Sequence, residues 1–379
     1  MQEKYYALFN WALLNIAFIL AYQRVTLYKR EKINGYAMGN RDVQRYYFLF
    51  FIFLMYSLFT FFGGDKKSYQ EMVIESGMYG FKALINMENI YVWLGILVKG
   101  DFLLWKLIVY GGSLLLTHLS LKRLGVDNII SLLFFSGMCL LSYGATRAIL
   151  AYAVYIFGLS FVREKNKLKI LVGWVIVVSS YFFHNSMIPI IAMTPLIYFN
   201  LTKKRVIVLL LIFPIVQMVF NVLISGAFEH VFSFAEDYGQ DHLQQKNEWY
   251  LDDTRSGGGS NTFSLSAMVQ NILSLTLDFS LLWVAFNASF KEKIPVRFTT
   301  YLSMGFFLFY FVWLLRFSSL YNSMFMHQRY LGMFPFYTFI LGVPLFMYTL
   351  ENKKWYTIIV FIMIAKFNYN LFLMIYHAS

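Results

Sequence analysis

Cysteine is almost missing from this chain, with Cys139 alone among 379 residues. An intramolecular disulfide and a cysteine-built metal centre are thereby excluded, and cysteine usage says nothing about compartment. Charge is scarce too, at 14% of residues against the roughly 25% of a soluble domain. No internal repeat is found, and no HxxH, DxD or clustered carboxylate pattern stands beside the basic and imidazole side chains considered below. The stretch from Met1 to Tyr22 has no n-region rich in Lys or Arg and no small-residue cleavage site, so no cleavable signal peptide is expected.

What the chain has in abundance is apolar surface. Hydrophobic residues make up 59% and the mean hydropathy is +0.56, which predicts an all-α, polytopic integral membrane protein folded as a single membrane domain. The formal net charge of +12 is spread as short basic clusters between apolar runs. That is the pattern of the positive-inside rule, so nucleic acid is not expected as a partner and the lipid bilayer is.

Taken in order, Tyr5–Tyr22 reads as a first span, and the basic segment from Arg24 to Arg45 keeps the following loop in the cytoplasm with the N-terminus outside. Tyr46–Phe62 rises, and residues 63–101 form an outer-face segment too mixed in polarity for a span, with a re-entrant or surface helix at Ile90–Val98. Phe102–Leu121 descends to Lys122 and Arg123, Ile129–Tyr143 rises, and a hairpin from Ala148 to Phe183 dips and returns. Met187–Phe199 descends to Lys203–Arg205, Val206–Ile224 rises, and residues 226–261 form a large outer-face loop. Leu265–Phe290, Phe298–Leu315, Tyr330–Leu350 and Trp355–Tyr376 complete about twelve spans, with every compact basic cluster on one side.

The hairpin organises the rest. Its basic tip carries Arg163, Lys165, Lys167 and Lys169, while Arg147 opens its first helix and His184 closes its second. Both apolar runs fall short of the roughly 20 residues that cross a hydrocarbon core. Four cations at the tip must sit in water, so the end bearing Arg147 and His184 is the recessed one. Ionisable groups held below a membrane surface mark substrate sites by default, and the competing reading is a pair of interface residues snorkelling to headgroups. Asp65, Arg316, His327 and Arg329 fall at the same outer face. Arginines there suit an anionic ligand, since a guanidinium grips phosphate in two places, and the helix behind Arg147 adds its own N-terminal N–H groups.

The segments GGDKKSY (Gly63–Tyr69), GATRAILAYA (Gly144–Ala153) and YFFHNSMIPI (Tyr181–Ile190), followed by Arg329 and Tyr330 before a span, resemble the EpsG-type branch of the Wzy-like bacterial polysaccharide polymerases. These serve O-antigen, capsule and exopolysaccharide assembly. The resemblance implies a GT-C-like glycosyltransferase of the bacterial cytoplasmic (inner) membrane with its active site facing the periplasm or exterior. It implies donor and acceptor glycans on undecaprenyl pyrophosphate, with a chain-length regulator and a flippase as further partners. On that basis Arg147, with Arg329 and Arg316, stabilises the departing pyrophosphate, His184 or His327 takes the acceptor's proton, and Asp65 orients a sugar or the base. Tyr69, Ser186 and Tyr330 lie in the matching segments and count as substrate-binding positions. A pyrophosphate leaving group is already activated, so no cofactor and no obligatory metal is expected; Asp252 and Asp253 in the outer loop are the acids that keep a metal open, against the reading of exposed acids beside the flexible Ser256–Gly259 run.

Asp278 and Lys366 lie deep in their spans and are read as a structural pair, and Lys106 and His118 as packing or cavity residues. Two other classes suit a dozen spans with outer cations: a flippase of lipid-linked sugars, and a membrane acyltransferase acting on surface polysaccharide. The first is disfavoured by the missing repeat, the second by the missing inner-face histidine constellation.

Overall fold

A computed structural model of the chain describes residues 65–82, 88–123, 146–184, 187–199, 201–223 and 296–316, with isolated positions in the first and last apolar segments. Every regular element among the described residues is helical. In chain order these are α1 (Asp65–Tyr79), α2 (Asn89–Leu97), α3 (Phe102–Arg123), α4 (Thr146–Leu159), α5 (Lys167–Ser179), α6 (Ile188–Met193), α7 (Lys203–Leu211), α8 (Phe213–Leu223) and α9 (Val296–Arg316). Short 3-10 turns follow α1, α5 and α6 at Gly80–Lys82, Ser180–Phe182 and Thr194–Tyr198.

The centre is α4, as the position of the hairpin predicts. Residues 148 to 156 are all buried, so this helix is apolar and enclosed on every side. It packs between α3 and α5, while α1 lies on α2 and both touch α3. Small residues let the hairpin close tightly. A Cβ on Gly158 would stand 2.7 Å from the Val177 backbone nitrogen, and one on Gly173 would stand 3.0 Å from that of Val162. The two backbones therefore meet where glycine alone fits, the device that brings helices together in lipid.

On α5 the large aliphatics point away from the protein. Leu168, Leu171, Val175 and Val178 are exposed at helical spacing, while Gly173 and Val177 are buried. An exposed aliphatic stripe over a small-residue inner face is the reverse of a water-soluble helix and suits a lipid surround.

Among the described residues α3 is the one helix long and apolar enough to cross a membrane, and α7 with α8 adds a second if the bent pair counts as one span. The single rising span expected over Val206–Ile224 is in fact broken by a 57° bend between α7 and α8. Pro214 supplies the reason, because it has no N–H to give the carbonyl one turn back and starts a new helix readily in its first turn. Tyr310 of α9 donates to the Leu209 carbonyl across this break (3.0 Å), and Gln217 Nε2 donates to Leu314 O (3.0 Å). Residues 63–101, expected to be broken, hold α1 and α2, and α2 covers the stretch where a short helix was expected at Ile90–Val98. At the chain's extremes Asn15 and Asn368 exchange two amide hydrogen bonds of 2.9 Å, so the first and last apolar segments are neighbours.

One end of the bundle is defined by contacts among basic segments. Arg123, the last residue of α3, reaches the hairpin tip: Nη2 donates to Glu164 Oε1 at 2.7 Å, Nε donates to Ser160 Oγ at 3.0 Å, and the guanidinium lies 3.5 Å from the Phe161 ring centroid. Tyr198 OH donates to Val162 O (3.1 Å), which brings the segment entering Lys203–Arg205 to the same tip. Three basic clusters that the positive-inside drawing put on one side thus share one end.

Candidate functional site

The positions of Arg147 and His184 lie at the opposite end, where helix register sets the local shape. From the Arg123–Ser160 contact, α3 runs back 21 residues to Phe102 and α4 only 14 to Thr146. A second contact, between the Gly112 position and Leu150 Cδ1, keeps nearly the same offset, so the two helices run parallel and in step. At 1.5 Å per residue, α4 therefore begins about 10 Å short of the end of α3. Among the described residues the two helix ends therefore form a step, the first two turns of α3 rising beyond the first turn of α4.

Arg147 is the second residue of α4, at the foot of this step. His184 follows the 3-10 turn after α5 and is half-buried; its backbone N–H faces Ser180 O and Tyr181 O at 3.2 and 3.1 Å, and its carbonyl accepts from Met187 N at 3.0 Å. Because α4 and α5 form a hairpin whose tight turn lies at Ser160–Asn166, these two positions share its open end. The turn itself is sharpened by Asn166, whose side chain accepts from Leu168 N and starts α5 three residues earlier than hydropathy alone predicts.

Above the step lies an aromatic cluster drawn from four elements. Trp105 of α3, fully buried, stacks on Phe102 (6.0 Å between centroids) and meets Tyr69 of α1 at 6.2 Å and Tyr91 of α2 at 5.8 Å. Tyr91 in turn meets Phe183 edge-on at 6.5 Å, and Phe183 directly precedes His184. Tyr69, one of the expected substrate-binding positions, is thus linked through Trp105 and Tyr91 to Phe183, the neighbour of His184. It is buried rather than open at the surface.

Asp65 is the first residue of α1, one turn before Tyr69, and a carboxylate there suits the helix dipole. Arg316 is the last residue of α9. The side chains of Asp65, Arg147 and Arg316 lie outside the described part of the molecule, as do Ser186, His327, Arg329 and Tyr330, the loop at 226–261 with Asp252 and Asp253, and Asp278 with Lys366. Among the described residues no group of three or more His, Cys, Asp or Glu is arranged to hold a metal.

Two residues of the site gave no clear sign in the sequence. Lys106, read as a packing or cavity residue, is 5% exposed in the second turn of α3, with its ammonium 5.2 Å from the Phe102 ring centroid. Trp105 beside it carries an indole N–H that is buried without a hydrogen-bond partner among the described residues. The signal that finds Trp105 is its spacing from Arg123: 18 residues, five helical turns, put both on one side of α3.

These features define a helical membrane protein with a step at one end of its central helices, where a helix N-terminus, an arginine position and a histidine gather under buried aromatics. Residues 43–379 match the model of the EpsG family, and the chain belongs to that family. It is accordingly a polysaccharide polymerase-like protein of the bacterial inner membrane, and lipid-linked glycans are its substrate class. Neither the curated proteins nor the solved structures contain a match.

Proposed function

We propose that the protein is a GT-C-like glycosyltransferase of about twelve spans that extends polysaccharide at the outer face of the cytoplasmic membrane. It moves a growing glycan from undecaprenyl pyrophosphate to a hydroxyl at the sugar end of the next lipid-linked repeat. Breaking the bond between the anomeric carbon and pyrophosphate builds negative charge on the leaving oxygen. Fixed cations and helix N–H groups at that point stabilise the transition state more than the ground state. Arg147, Arg329 and Arg316 take this role. The acceptor hydroxyl loses a proton as it attacks, and His184, with His327 as the other imidazole at this face, receives it. Asp65, Tyr69, Ser186 and Tyr330 hold the sugars.

The observation that supports this reading is the common end of the α4–α5 hairpin: the backbone of Arg147 starts one helix where the chain leaving the other reaches His184. The N-terminus of α4, whose first-turn N–H groups have no partner within the helix, adds positive potential at the same point.

The test is chain extension in membranes or detergent with lipid-linked repeat units. Arg147→Ala and His184→Ala are each expected to abolish extension while single units still reach the outer leaflet. Arg147→Lys is expected to fail as well, since an ammonium keeps the charge and loses the two-pronged grip. Long polymer made by both alanine variants removes these residues from the mechanism. Loss of single-unit transfer without any change in chain length points instead to a flippase.

A further inference from the structure

We propose that the basic end of the α4–α5 hairpin seats an anionic phospholipid, its phosphate held between Lys167 and Lys169 and its acyl chains lying along the exposed aliphatic stripe of α5. The inference concerns the end of the bundle away from Arg147 and His184, and it does not depend on the function proposed for them.

Three observations converge on it. First, positive charge at this end is in excess. Between Asp127 and Glu229 the sequence holds a single acid, Glu164, and Arg123 already binds it. Lys165, Lys167, Lys169 and Lys204 are exposed and make no ion pair among the described residues. Second, these cations stand where a helix least favours them. Lys167 and Lys169 open α5, and Lys203–Arg205 open α7, so both groups lie at the positive end of a helix dipole, and neither first turn contains an acid. The positive-inside rule asks only for cations on this side and is met as well from a loop; in a first turn they build a potential that a bound anion relieves. Third, the charge runs into apolar surface without a break. Successive helical residues turn by about 100°, so Lys167 and Lys169 flank Leu168, and Leu171, Val172 and Val175 continue the same exposed face toward the membrane interior. Beside this face Trp174 Nε1 donates to Tyr198 OH at 3.4 Å, and Tyr198 OH donates to Val162 O at 3.1 Å, a pairing of amphipathic aromatics that suits headgroup level.

The chemistry fits a diacyl phospholipid. Lysine stems cover apolar surface while their ammonium groups stay in the polar layer, where they donate to phosphate oxygens. Side chains also lean toward the start of their own helix, which lifts both ammonium groups to headgroup level and leaves Leu171 and Val175 below it. An acidic protein segment would meet the cations and leave the stripe uncovered; one anionic head on two chains meets both. A zwitterionic lipid brings a cation of its own against the lysines, so the seat selects a headgroup of net negative charge.

The experiment uses the full chain in phosphatidylcholine nanodiscs, with phosphatidylglycerol brominated near the top of its acyl chains as the probe and phosphatidylcholine brominated in the same way as the reference. Trp174, two turns beyond Lys167, is the reporter, and its quenching is the difference between each protein and the same protein carrying Trp174→Phe. Brominated phosphatidylglycerol is expected to quench it at a lower mole fraction than the reference. Lys167→Gln with Lys169→Gln is expected to reduce that preference about fivefold or more, and Lys167→Arg with Lys169→Arg to retain it. Lys203→Gln with Lys204→Gln removes equal charge from the same end and is expected to leave the preference in place. No preference in the wild type, or an unchanged one in the first glutamine pair, overturns the assignment. So does an equal loss in the second glutamine pair, which means that net charge alone draws anions to this end. Displacement of the lipid by soluble polyglutamate also overturns it and makes the surface a seat for an acidic protein.

Discussion

Arg123 shows how far one side chain's role can depart from its address. Its position after an apolar run marks it as a headgroup anchor at the cytoplasmic surface. In the fold it is instead held by the protein, between Glu164, Ser160 and the face of Phe161. The ion pair is partly shielded, with the two side chains 24% and 12% exposed, so it falls between a screened surface pair and a buried one. Arg123→Ala is expected to lower stability by about 1–3 kcal/mol, because Glu164 loses a charged hydrogen bond while remaining mostly buried. Detergent-titrated unfolding, run as a double-mutant cycle with Glu164→Gln, reads the coupling; strictly additive losses would show that the pair does nothing. Glu164 is 41 residues away in the chain, a distance at which no local pattern announces a partner.

Among the elements, the hairpin was largely legible and its closeness was not. Hydropathy finds both apolar runs and the basic tip, and the short turn forces them to be antiparallel. It misplaces their ends by a few residues, since Asn166 caps α5 from within the charged stretch and Lys167 and Lys169 ride on its first turn. The Gly158–Gly173 contact depends on which faces meet, and that is decided by packing. Gly158→Val and Gly173→Val are each expected to cost about 1–3 kcal/mol or more, as their added atoms meet backbone that cannot yield. Gly111→Ala is the control: nothing lies within 4 Å of its Cβ position, so it should be neutral or stabilise by up to about 1 kcal/mol. Equal unfolding temperatures for all three variants would refute close backbone packing. The break at Pro214 shows the opposite case, a proline visible in the sequence inside a run that is mostly apolar and reads as one span by hydropathy.

For the molecule as a whole, the alternation of basic clusters predicted that the Lys122–Arg123, Arg163–Lys169 and Lys203–Arg205 segments share a side, and direct contacts join them at one end. The same drawing assigns that end to the cytoplasm. With Cys139→Ala as background, a cysteine placed by Lys165→Cys is expected to react with a membrane-impermeant maleimide in inside-out vesicles and to be protected in intact cells. Labelling from outside the cell would invert the drawing and put the step above α4 on the cytoplasmic side. The Asn15–Asn368 amide pair closes the chain's two ends together. Each asparagine lies in an apolar segment, where a partner on another helix is the expected remedy, though not which helix supplies it.

By itself the sequence determined the solvent, the helical class and the hairpin that joins Arg147 to the end bearing His184. Each of these follows from composition, from backbone hydrogen bonding in lipid, or from a turn too short to allow anything but reversal. Only tertiary structure decided that α4 starts about 10 Å short of α3, and that α1 and α2 bring Tyr69 and Tyr91 onto the buried Trp105. The relative height of two helices separated by a long connection is set by contacts such as Arg123 with Ser160 and Gly112 with Leu150, and helical periodicity fixes which side a residue faces without fixing the level at which its neighbour ends.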